Sequence, residues 1–191
     1  MLAVILWAPG CVTHEVADSY GQYLTNQDDT VKLPQTGLTA VYSLAPATVE
    51  HRLEFKSATT GLAHTWAVEF GKMLMDTLQA QEVRRAFASL DPAPAADGSD
   101  ILELAFDLEN YRFEDMRAKI DLAIAVSGGG EELFRNVYRA EGASQGGKMF
   151  WGGAFAMRNA IHQSTKLAMD EILAEFLNDL WAQTQSQAAT P

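Results

Sequence analysis

The chain has one cysteine in 191 residues, so no intrachain disulfide can staple it and its fold must rest on a hydrophobic core. Basic residues are scarce. No Lys or Arg precedes Lys32, and 14 Lys and Arg stand against 25 Asp and Glu, a formal net charge of -11. That balance opposes a phosphate backbone, so no nucleic-acid partner is expected. After Cys11 no apolar run approaches the roughly 20 residues that a membrane-spanning helix needs. The histidines are His14, His51, His64 and His162. No two lie at i, i+4 spacing and none has a Cys or Asp pair in a ligand pattern, so no metal site is expected. No Gly-x-Ser-x-Gly elbow occurs, and neither a catalytic residue nor a cofactor is assigned.

With 48% hydrophobic and 20% charged residues, the chain is long enough for one globular domain with its own core. Residues 12 to about 40 carry no sustained period and are rich in Thr, Gln, Asp and Gly, so 11–47 reads as a lead-in or tether. From Thr48 the apolar Val49, Leu53 and Phe55 alternate with Glu50, Arg52, Glu54 and Lys56, predicting a half-buried strand with His51 on its core side. Trp66, Phe70, Met73, Leu74 and Thr77 then recur at helical spacing through about Gln81. Val83 to Leu90 fits either a helix tail or a short strand, and 92–98 is a loop.

The second half is more regular. Leu102, Leu104, Phe106 and Leu108 alternate with Glu103, Ala105, Asp107 and Glu109. Ala118, Ile120, Leu122, Ile124 and Val126 do the same against Arg117, Lys119, Asp121, Ala123 and Ala125. Gly128-Gly129-Gly130 supplies a turn into a third strand over 133–143, and the three strands, 101–113, 116–126 and 133–143, are predicted to pair antiparallel. Phe155 to about Ala182 reads as one long helix, with His162 on its surface and Asp170-Glu171 on a solvated face; Glu131-Glu132 beside the turn also reads as solvated. The polar 183–191 reads as a flexible tail. Together, 48–182 is expected to be a single α+β domain: a mostly antiparallel sheet with two helices packed on one face.

The N-terminus carries a separate signal. An apolar run, Met1 to Trp7, closes on Ala8-Pro9-Gly10 and then Cys11, an order that resembles the lipobox ending a bacterial lipoprotein signal. The resemblance implies that 1–10 is a truncated signal segment, any basic residues of which would lie upstream of Met1, and that Cys11 carries acyl chains such as palmitate that hold the chain to a membrane. Val12, where Asp would mark retention, implies sorting to the outer membrane with the body on the periplasmic face. The alternative is a frayed N-terminus with a buried cysteine. The strands Ile101-Leu102-Glu103-Leu104 and Lys119-Ile120-Asp121-Leu122-Ala123-Ile124, then Tyr138-Arg139-Ala140-Glu141-Gly142 before a long Ala-rich helix, resemble the YajG family of bacterial lipoproteins. The same element order resembles auxiliary lipoproteins of ABC-type lipid transport systems. Neither resemblance brings a catalytic residue.

Two features of the strand-to-helix loop bear on function. Gly142-Ala143-Ser144-Gln145-Gly146-Gly147-Lys148-Met149 has the spacing of a phosphate-binding loop. It fails at Met149, where a hydroxyl should ligate magnesium. The bland reading is a flexible connection, and the rival is a nucleotide-dependent enzyme using Lys148. Next to it Met149, Phe150, Trp151 and Phe155 stand among glycines, either sealing the core or presenting a partner-binding patch. The sequence therefore implies a lipid-anchored, non-catalytic binding or accessory component of the cell envelope, with the membrane and envelope proteins as partners. Its nearest variant is an auxiliary subunit of a lipid transport system.

Overall fold

The protein is described from a computed structural model that covers residues 12–27, 32–58, 60–93, 101–144 and 153–188. Its centre is the meander anticipated from the alternation: β6 (Leu102–Glu114), β7 (Arg117–Gly128) and β8 (Glu131–Glu141), paired antiparallel. Gly129 and Gly130, at φ of 60° and 86°, form the two-residue turn between β7 and β8, a turn whose left-handed positions suit glycine. The turn between β6 and β7 uses Asp115 and Met116 at φ of 51° and 59°. Asp tolerates that region; Met116 carries a cost of roughly 1–2 kcal/mol.

The α+β class holds, and the sheets are mixed. β2 (Thr39–Leu44) lies between β6 and β5 (Ser89–Pro92) and runs parallel to both, giving the order β5-β2-β6-β7-β8. A second sheet orders β1 (Val12–Glu15), β4 (His64–Glu69) and β3 (Arg52–Lys56), with β1 parallel and β3 antiparallel to β4. Its inner face carries Val16, Trp66, Val68, Leu53 and Phe55 into or against the core. Its outer face carries Arg52 bonded to Glu15, Glu54 and Glu69. Two long helices complete the core: α3 (Phe70–Gln79) and α5 (Gly153–Ala188). Met157, Ile161, Ala168, Met169, Ile172, Leu173, Phe176, Leu177 and Leu180 of α5 are all buried.

Four stretches differ from the sequence reading. Residues 12–47, read as a lead-in, supply β1, the short helix α1 (Tyr20–Thr25) and the inner strand β2. The strand read from Thr48 begins instead with a helical turn, α2 (Pro46–Val49), because Pro46 presets the first helical position and Gly71 of α3 needs the close approach. A Cβ on Gly71 would sit 2.5 Å from the Thr48 carbonyl oxygen. Trp66 belongs to β4 and not to a helix, which starts only at Phe70. Its i, i+4 relation to Phe70 is the coincidence of a period-2 strand running into a period-3.6 helix. The ambiguous Val83 to Leu90 divides between α4 (Gln81–Arg84) and the start of β5. At the other end α5 continues to Ala188 through the Gln- and Ala-rich tail, residues that favour helix.

The inward phase of β6 changes once. Leu104 and Phe106 face the core before an irregularity between Leu108 and Asn110, and Tyr111 faces it after, as a β-bulge requires. Leu104 is 1% exposed and its neighbour Glu103 is exposed on the opposite face. Leu104→Asp, an uncompensated buried charge, is expected to cost several kcal/mol, on the order of 3–5, whereas Glu103→Lys should stay within about 0.5 kcal/mol of wild type. Urea unfolding of the two variants measures both; the reverse order would mean a register shifted by one residue.

Candidate functional site

Of the residues singled out for function, Cys11, Lys148, Met149, Phe150 and Trp151 lie outside the described residues. Phe155 is described, 79% exposed in the first turn of α5. Gly142, first glycine of the phosphate-loop spacing, has a packing role. Its N–H donates to the Ala118 carbonyl at 2.9 Å, and a Cβ there would overlap the Ser164 carbonyl of α5. Ser164 in turn accepts from the Ala118 N–H at 2.8 Å. Strand end and helix meet backbone to backbone, which only glycine permits.

At the N-terminal end β1 and β4 form a cluster absent from the one-dimensional pattern. The Val12 N–H donates to Ala63 O at 2.9 Å, and pairing of His14 with Trp66 sets their rings in a stack with centroids 4.4 Å apart. His14 Nε2 lies 2.7 Å from His64 Nδ1, so one ring donates and the other accepts. Partial burial, His64 and Arg158 hold the His14 pKa below its ordinary value. One turn further along α5, His162 is buried, contrary to its reading as a surface residue, because β1 runs over it: its Nε2 donates to Val16 O at 2.8 Å. Tyr20 and Tyr23 flank its ring. Burial lowers its pKa, with Arg158 adding to the effect. His51, read as core-side in a strand, sits at the entry to β3 against Phe70 and Tyr111, and burial lowers its pKa too.

Asp170 is also buried, not solvated as read, since α1 and α4 close over its face of α5. Lys166 Nζ donates to Asp170 Oδ2 at 2.8 Å and to Glu82 Oε1 at 2.8 Å. Burial opposes the charge on Lys166, but the two carboxylates prevail and raise its pKa. Burial prevails for Asp170, raising it despite the ammonium. One ammonium bridging two carboxylates makes charge-assisted hydrogen bonds, and these hold Lys166 in its protonated form. The i, i+4 spacing of Lys166 and Asp170 was a signal in the sequence; their burial was not. Beside them an open groove of about 520 Å³ is lined by Gly21, Leu24, Thr25, Asp76, Gln79 and Glu82. Burial raises the Asp76 pKa, and the Gly21 N–H donates to its carboxylate. The arrangement holds charges in place. A lysine kept protonated is no nucleophile.

Among the described residues no group of three or more His, Cys, Asp or Glu could hold a metal ion, and no helix is long and apolar enough to cross a membrane. No protein-family model matches the chain, and no curated protein matches it. Solved structures do. Protein XCC0632 from Xanthomonas campestris, of the family DUF330, superposes with a TM-score of 0.51 at 18% identity, covering 83% of this chain and 91% of that one. At that identity the likeness establishes a shared fold. An uncharacterised protein superposes with a TM-score of 0.45 at 16% identity, over 81% of this chain and 96% of that chain.

Three histidines kept neutral by the fold give stability a definite sign with pH. Each binds its proton in the unfolded chain near 6.5 and in the folded chain only at lower pH. Their contribution is complete above about pH 6.5 and is lost as pH falls from there through the lowered folded values. Denaturation midpoints measured from pH 7.5 to 5 should therefore fall on the acid side. His162→Gln, whose amide can keep donating to Val16 O, should flatten part of that slope; an unchanged slope would mean His162 is not held neutral.

Proposed function

We propose that the chain is a lipoprotein of the bacterial cell envelope, held by acyl chains on Cys11 at the periplasmic face of the outer membrane, where it binds other envelope components and catalyses nothing. The observation that carries this reading is the apolar run closing on Ala8-Pro9-Gly10-Cys11 immediately before a folded body whose first strand starts at Val12. A cleaved signal followed by an anchored domain has that layout. The DUF330 likeness is compatible with an accessory role without assigning one. The long antiparallel meander followed by a 36-residue helix resembles the element order of YajG-like lipoproteins and of auxiliary lipoproteins of ABC-type lipid transport systems. The latter is the more specific form of the proposal. The nucleotide-dependent rival loses the support of Gly142, whose missing side chain is accounted for by α5.

Mass spectrometry of the mature protein from its host should find an acylated Cys11 as the first residue, and fractionation should place the wild type with membranes and Cys11→Ser in the soluble periplasm. An intact Met1 or a bare thiol would defeat the anchor. For the partner, a pull-down from detergent-solubilised envelopes should retain transport-system subunits with Lys148→Ala and lose them with Trp151→Ala. A Tm shift with Mg-ATP that vanishes in Lys148→Ala would favour the enzyme instead.

A further inference from the structure

Among the described residues five large apolar side chains are exposed: Val12, Val49, Leu62, Phe155 and Trp181. Three of them meet at one end. Leu62, 70% exposed, tips the turn closed by His64 N–H to Gly61 O, and the neighbouring Ala63 carbonyl holds the Val12 N–H. Phe155 reaches the same end along α5. His162 bonds Val16 O, and Arg158, one turn earlier, acts on His14 two residues earlier in β1. A helical turn rises about 5.4 Å and two strand residues about 6.6 Å, so the two elements keep step. By that step Phe155 falls at about the level of Val12, and it shares its helix face with Arg158 and His162 at i+3 and i+7.

Charge is distributed to match. In a chain of formal charge -11, residues 12–14, 57–68 and 153–169 contain no Asp or Glu. Among the described residues, His14, His64 and Arg158 lie together at this end, with Lys56 beside them through its pairing with Thr65.

We propose that the end formed by Val12, Leu62 and Phe155 is a bilayer-contacting surface, whose apolar tips enter the headgroup region of the membrane that carries the chain. The proposal deepens the anchoring reading and rests on it for the point of attachment. Consecutive Cα atoms are about 3.8 Å apart, and Val12 is already bonded into the sheet, so no slack separates Cys11 from this end. Acyl chains rooted at Cys11 draw these three side chains onto the lipid. Leucine and phenylalanine gain from that environment, and the segments that carry them bring no carboxylate of their own to anionic headgroups.

The test labels single introduced cysteines with a polarity-sensitive fluorophore in the full-length lipidated protein, where an acylated Cys11 offers no thiol. Leu62→Cys and Phe155→Cys report the proposed surface. Trp181→Cys reports the far part of α5, about 39 Å along the helix axis. In vesicles of phosphatidylethanolamine and phosphatidylglycerol, the labels at 62 and 155 should shift to the blue and brighten relative to detergent-free water, and the label at 181 should not. Water-like emission at 62 and 155 in a protein whose Cys11 is acylated by mass spectrometry would overturn the surface and leave the anchor standing. If Cys11 proves bare, the anchor fails, and the same labels are read in the Cys11→Ser background. A blue shift with vesicles then upholds the surface and its absence overturns it. A blue shift that grows with protein concentration in the absence of vesicles would assign this end to a second copy of the chain and overturn the proposal.

Discussion

One turn of α5 joins the parts of the molecule that the sheets leave separate. His162 is bonded to Val16 beyond β1, Ser164 to Ala118 of β7, Thr165 to Tyr111 of β6 and Lys166 to Glu82 of α4. All four side chains are buried, and buried polar groups are costly unless paired. Each element must therefore arrive in place to satisfy its own partner. Apolar packing would let α5 slide along the sheet by a turn at modest cost. Four different bonds in five consecutive residues fix its register.

Small residues make that register reachable. Gly142 lets the end of β8 touch the backbone of α5, and Gly71 lets α3 touch α2. Ala118 brings β7 close enough for its N–H to meet Ser164. In each case a larger side chain would interpose its own width at the point of closest approach. The outer surface is organised differently. Arg52 gathers Glu15, Glu54 and Glu69 across the three strands of the small sheet, exposed pairs of the kind worth only about 0–1 kcal/mol each. The fold rests on what lies under α5, and the charges outside add little to it.

The legibility of the fold in the sequence follows burial geometry. β6, β7 and β8 each turn one face to the helix layer, and their alternation was readable up to the bulge in β6; Ala123 and Ala125 on the other face of β7 are buried too, but are small beside its Ile and Leu. β2 has Ala40, Val41 and Tyr42 buried in succession, with strands on both sides, and a continuously buried strand has no alternation to find. β1 is four residues long and gains its identity from a partner 50 residues away. The candidate site divides the same way. The lipobox-like order is written locally and stands out at Cys11, and Phe155 could be picked out as a large apolar residue on a loop. Leu62 gave no signal, because its place beside Val12 depends on the pairing of β1 with β4. His162 and Asp170 were misplaced on the surface because a helix that is nearly encircled has no polar stripe to betray its outside.

The parallel pairing of β1 also sets an order of events. The strand beside Cys11 is made first, yet its partner in β4 follows 50 residues later and His162 lies 146 residues beyond Val16. Contacts that close such long loops form late, so β1 has nothing to pair with until β4 is made and nothing to dock on until α5 is. Docking of β1 against His162 follows once the C-terminal helix exists. Completion of the fold at its N-terminal end is in this way set late by topology alone.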